Sequence, residues 1–88
     1  MYSLEIIPSV KKTFDRLERK DKSQLCNISN KIGEILNDPY RFKSLRRPMN
    51  HLRRVHIAKS FVLIYSINEQ KKTVTIMDYD HHNNVYRC

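Results

Sequence analysis

The run FVLIYSI at residues 61–67 restricts the fold of this chain more than any other stretch. It is apolar except for Ser66, rich in β-branched and aromatic types, and bounded by polar residues, so it reads as a central strand covered on both faces. Lys59 and Ser60 leave room only to reverse the chain. Residues 52–58 should therefore pair with the run antiparallel, with Arg53, Val55 and Ile57 on one face and Leu52, Arg54 and His56 on the other. Arg54 and His56 become neighbours in that arrangement. Asn68 to Lys72 form the next turn, and in residues 73–79 Val74 and Ile76 alternate with Thr75 and Met77 as a third strand.

The preceding half reads as a strand and two helices. Residues 2–7 are β-prone and end at Pro8, which lacks a ladder donor. Ser9 is placed to cap a helix with Val10, Phe14 and Leu17 at i, i+4 and i+7, and Lys11, Lys12, Asp15 and Arg19 on its solvated side. Asp21 is placed to cap a second helix whose stripe is Leu25, Ile28, Ile32, Ile35 and Leu36. Cys26 is expected to pack in this helix, and Gly33, the only glycine, to permit close approach of a neighbour. Asp38-Pro39 ends the helix, because the residue before proline disfavours the α region. The order β-α-α-β-β-β describes a single α+β domain over residues 1–88, with two antiparallel helices packed on one face of an antiparallel sheet. The other sheet face is left for function.

Charge narrows that function. The net charge is +8, and no acidic residue lies between Asp38 and Glu69, whereas Arg41, Lys43, Arg46, Arg47, Arg53, Arg54 and Lys59 all do. A one-sign segment on a small domain attracts polyanions, nucleic acid above all, although a solvated basic face or one that meets an acidic protein reads the same way. Residues 40–51 lose periodicity as the charge accumulates, so they are expected to form a loop or a short helical turn on the surface, where a substrate backbone would first be met. Cys26 and Cys88 have neither metal-ligand nor disulfide-framework spacing. No apolar stretch approaches the ~20 residues of a membrane span and no leader pattern opens the chain, so a cytoplasmic protein is expected, without membrane, metal or cofactor.

Two motifs resemble the RelE/ParE superfamily of toxins from toxin–antitoxin modules. Val55-His56-Ile57-Ala58-Lys59-Ser60-Phe61-Val62-Leu63-Ile64-Tyr65 is similar to the family's turn and central strand, and Asp80-His81-His82-Asn83-Asn84-Val85-Tyr86 stands where the family's C-terminal catalytic segment does. The resemblance spans essentially the whole chain and is nearest to the histidine-bearing YafQ-type members, with His56 and His82 on two matching positions. Ser60 stands where that type carries an aspartate and Lys43 where it carries a loop histidine. Val62 and Asp80 replace two arginines of the RelE type, whose terminal tyrosine is present as Tyr86.

The resemblance implies a type II toxin that cuts mRNA on the ribosome and is held in a hetero-oligomer by a cognate RelB-like antitoxin with an acidic or amphipathic helical segment. Metal-independent RNA cleavage needs a base for the 2′-OH proton, an acid for the departing 5′ oxygen and cations around the phosphate. Histidine suits both proton roles near neutral pH, and arginine and lysine suit the third. His56 and His82 are accordingly the expected acid–base pair, with Lys43, Arg53 and Arg54 on the phosphate and Tyr86 orienting or stacking on a base. Arg46, Arg47, Lys59 and Arg87 are expected as further RNA contacts. A ParE-like inhibitor of gyrase that cleaves nothing, or a basic RNA- or DNA-binding module, would be built from the same charge.

Overall fold

A computed structural model of the protein describes residues 2–58 and 60–81. Its elements are β1 (Ser3–Ile6), α1 (Pro8–Lys20), α2 (Lys22–Asn37), β2 (Leu52–Ile57), β3 (Phe61–Asn68) and β4 (Thr73–His81). The strands form one sheet in the order β1-β4-β3-β2, and both helices lie on one of its faces, α1 against β4 and α2 against β2. This is the expected α+β architecture with one correction. The sheet is mixed, because β1 pairs with β4 in parallel while the other two pairings are antiparallel. The helix pair returns the chain to its starting end, where the amide of Tyr2 meets the carbonyl of Leu36, so β1 is left to dock beside a strand that is not its sequence neighbour.

Local chemistry accounts for the helix ends. α1 begins at Pro8, whose fixed φ suits the first helical position, and Ile7 stands at the N-cap without a side-chain bond. Ser9 is thus inside the helix and not its cap as expected; its carbonyl accepts from the Thr13 hydroxyl at 3.3 Å. Asp21 is the whole link between the helices. Its amide donates to the carbonyl of Leu17 at 2.7 Å, closing α1, and its carboxylate accepts from the amide of Gln24 at 3.0 Å, opening α2. Two further expectations fail for one reason, since Cys26 and Gly33 both lie on the solvent side of α2: Cys26 is exposed, and a Cβ built on Gly33 meets nothing within 4 Å.

The core joins Val10, Phe14, Ile28, Ile32 and Ile35 of the helices to Val55, Ile57, Leu63, Tyr65, Val74, Ile76 and Tyr79 of the sheet. Burying each large aliphatic side chain contributes about 1.5–3 kcal/mol before entropy is counted. Tyr79 is wedged among aromatics, edge-on to Phe14 at 5.7 Å and stacked on Phe61 at 5.4 Å, and its hydroxyl donates to Gln24 Oε1 at 2.5 Å. On the face away from the helices Val62 and Ile64 are also buried, at 0% and 4% exposure. The central strand is therefore covered on both sides, as its composition requires.

Candidate functional site

The register of β2 against β3 and of β3 against β4 decides which polar groups meet. His56 lies opposite Val62, which lies opposite Asp80; Arg54 lies opposite Ile64, which lies opposite Asp78. These two cross-sheet rows occupy the face away from the helices, each with a basic residue on β2 and a carboxylate on β4. Directly opposed residues share a face. Ile57, Phe61 and His81 form the next row on the helix side, where the His81 ring stands edge-on to Phe61 at 5.7 Å. His81 and His56 are thus on opposite faces of the sheet.

β2 is an edge strand, and part of the loop at residues 40–51 docks on that edge. The amide of Arg54 donates to the carbonyl of Lys43 at 3.1 Å, and the amide of Leu45 donates to the carbonyl of Leu52 at 2.9 Å, so that Ser44 bridges to Arg53. The docking places Lys43 beside Arg54. Lys43, Arg54 and His56, with Lys31, Phe42 and Val55, line a shallow depression of about 330 Å³ on the rim of the sheet. Three of the expected site residues are therefore brought together by the described structure. Arg46 and Arg47 are exposed on the same loop, further along it.

Arg53 does not join them. It lies on the helix face, half-buried, where its Nη1 donates to the carbonyl of Phe42 at 2.6 Å and its guanidinium sits 5.0 Å from the centre of the Tyr40 ring. The alternation of β2 separates it from Arg54 and gives it the loop to hold. Lys59, His82, Tyr86 and Arg87 lie outside the described residues, and with them the juxtaposition of His56 and His82.

A carboxylate organises the opposite end of the sheet. Glu69, in the β3–β4 turn, accepts from the hydroxyls of Tyr2 at 2.7 Å and Tyr40 at 2.6 Å through the same oxygen, and its other oxygen pairs with Lys72. Hydrogen bonds from Lys72, Tyr40 and Tyr2 hold its carboxyl at about 2, below the ordinary 4.5. The two tyrosine hydroxyls are pushed up in turn, chiefly by their bonds to Glu69. Burial pushes Tyr65 up to about 12; its hydroxyl, beneath the helices, donates to the carbonyl of Pro39 at 2.7 Å.

Sequence reasoning did not select Lys31 or Phe42. Lys31 belongs to α2, and its Nζ lies 5.9 Å from the centre of the Phe42 ring and 3.4 Å from Glu34. Its position one residue before Ile32 of the apolar stripe was the available signal: that places it at the border of the buried face, beside whatever strand the helix covers. Among the described residues no helix is long and apolar enough to cross a membrane.

No family model matches the chain. A relative in Methanocaldococcus jannaschii that bears the name "Putative toxin RelE4" is 46% identical over 87 residues, covering 99% of this chain and 93% of its own length. Among solved structures, the YoeB/ParE toxin from Agrobacterium tumefaciens matches with a TM-score of 0.80 at 14% identity, over 91% of this chain and 98% of that one. A chain of the intact E. coli RelBE toxin–antitoxin complex matches with a TM-score of 0.79 at 18% identity, over 92% of this chain and 96% of that one. At such identities these two structures speak for a shared fold; the archaeal relative speaks for descent. The chain belongs to the RelE family of toxins.

Proposed function

We propose that this toxin is a metal-independent endoribonuclease that cuts mRNA on the ribosome. The reading rests on one observation: Lys43, Arg54 and His56 line a single depression at the rim of the sheet. In the proposed reaction one histidine removes the 2′-OH proton, the 2′ oxygen attacks the adjacent phosphorus, and the bond to the 5′ oxygen breaks as the second histidine donates a proton to it. The products are a 2′,3′-cyclic phosphate and a new 5′-OH end. His56 and His82 share the two proton transfers. Lys43 and Arg54 stabilise the added negative charge of the crowded phosphate, with Tyr86 against a base and Arg46, Arg47, Lys59 and Arg87 along the RNA backbone.

Primer extension on a translated message tests this directly. Wild-type protein is expected to produce discrete new 5′ ends that disappear with His56→Ala and with His82→Ala, while circular dichroism shows both variants folded. Arrest of translation with an uncut message would replace the nuclease by an inhibitor that only binds. The same basic rim suits an acidic segment of a cognate RelB-like antitoxin, whose affinity is then expected to fall as salt rises.

A further inference from the structure

The segment that presents Lys43 has no regular structure of its own, yet side chains from two strands and one turn tie it down. The Tyr65 hydroxyl holds the carbonyl of Pro39 at 2.7 Å, Glu69 holds the Tyr40 hydroxyl at 2.6 Å, and Arg53 Nη1 holds the carbonyl of Phe42 at 2.6 Å. Arg53 also lies 5.0 Å from the Tyr40 ring, so two of these ties are in contact with each other. The next carbonyl, that of Lys43, accepts from the Arg54 amide at 3.1 Å. Arg53 and Arg54 are consecutive and on opposite faces: the first grips the loop from behind and the second receives it.

We propose that Arg53, together with the Tyr40–Glu69 hydrogen bond, is a positioning device that acts through Lys43 and sets the distance between the Lys43 ammonium and the Arg54–His56 pair. The proposal rests on the nuclease reading of that depression. Arg53 is thereby moved from phosphate contact, its expected role, to holding the group that makes the contact. A guanidinium suits this task because its planar fork donates to a carbonyl while its face covers an aromatic ring.

Two measurements on the free toxin test it. In Arg53→Gln, amide exchange at Leu45 and Arg54 should accelerate while exchange in β3 and β4 keeps its wild-type rate. In cleavage of a translated message, Arg53→Gln and Lys43→Ala should each lower kcat/KM by on the order of tenfold to a hundredfold, the cost of misplacing a phosphate-binding group. The double variant should lose no more than Lys43→Ala alone, because residues that act through one another are not additive. Losses that multiply, or unchanged exchange at Leu45 and Arg54, would overturn the positioning role. Tyr40→Phe keeps the ring, removes only the bond to Glu69, and should shift the same two amides in the same direction; it replaces Arg53→Gln if that variant does not fold. Wild-type protein that makes no cuts overturns the nuclease reading and this one with it, and the wild-type lane identifies that case.

Discussion

Asp78 lies opposite Ile64, one position out of step with the neighbouring Tyr65–Ile76 pair, and Met77 is the residue left over. This β-bulge reverses the alternation of β4 midway. Before it Val74 and Ile76 face the helices; after it Tyr79 and His81 do, and Asp78 and Asp80 turn to the other face. Unbroken alternation would drive both aspartates under the helices and expose Tyr79. Deleting Met77 is therefore expected to leave a cooperatively folded protein, because removing the extra residue yields a regular strand in which every other side chain keeps its face. Deleting Ser66 on the facing strand doubles the mismatch and should abolish cooperative unfolding. Urea titrations of the two deletions check this; a Met77 deletion that does not fold would contradict the register.

Glu69 gathers Tyr2, Tyr40 and Lys72 at one end of the sheet, and its carboxyl is held at about 2 against an ordinary 4.5. A carboxyl with a depressed folded-state pKa contributes stability in full above its unfolded value, and that contribution is lost as pH falls through the folded one. Glu69→Gln is thus expected to be less stable than wild type at neutral pH, with the difference shrinking as pH falls from about 4.5 toward about 2. Urea midpoints for both proteins across that window decide the matter. A gap of constant size would mean that the network contributes through shape and not through charge.

Gly33 sits in the interior of α2 on the solvent side, with open space where a Cβ would go. Glycine in a helix interior loses backbone entropy that alanine does not. Gly33→Ala should raise stability by up to about 1 kcal/mol, read as a higher unfolding midpoint at an unchanged denaturant slope. A lower midpoint would show that the position needs the bare backbone after all.

Gly33 also shows what a sequence can convey. The stripe Leu25, Ile28, Ile32, Ile35 and Leu36 located α2 and its buried face, yet a lone helical glycine looks the same whether a neighbour presses on it or water does. The order of elements was legible because the FVLIYSI run and the two helical stripes have different periods. The parallel docking of β1 was not, since pairing between the first and last strands depends on where the helix pair delivers the chain. The Met77 bulge left a trace: Tyr79, the best core candidate in its stretch, sat on the wrong parity, and Asp78 sat on the right one. For the site, alternation placed Arg54 with His56, whereas the approach of Lys43 depends on loop-to-edge hydrogen bonds that no periodicity encodes.

Lys31 offers a clean test of whether the rim of the sheet is an RNA surface. It lines the depression with Lys43, Arg54 and His56, but it comes from α2, and its ion pair with Glu34 at 3.4 Å lies at the surface. Such pairs are worth about 0–1 kcal/mol, so Lys31→Gln should unfold close to wild type. If the depression holds a phosphate, the same change removes one counterion-releasing contact and should lower the salt dependence of single-stranded RNA binding by about 0.7 in the log–log slope. Fluorescence anisotropy over a salt series measures that slope. A weaker affinity with the wild-type slope would mean that Lys31 shapes the depression without meeting the backbone, and an unchanged affinity would place the RNA path on the loop side of Lys43, toward Arg46 and Arg47.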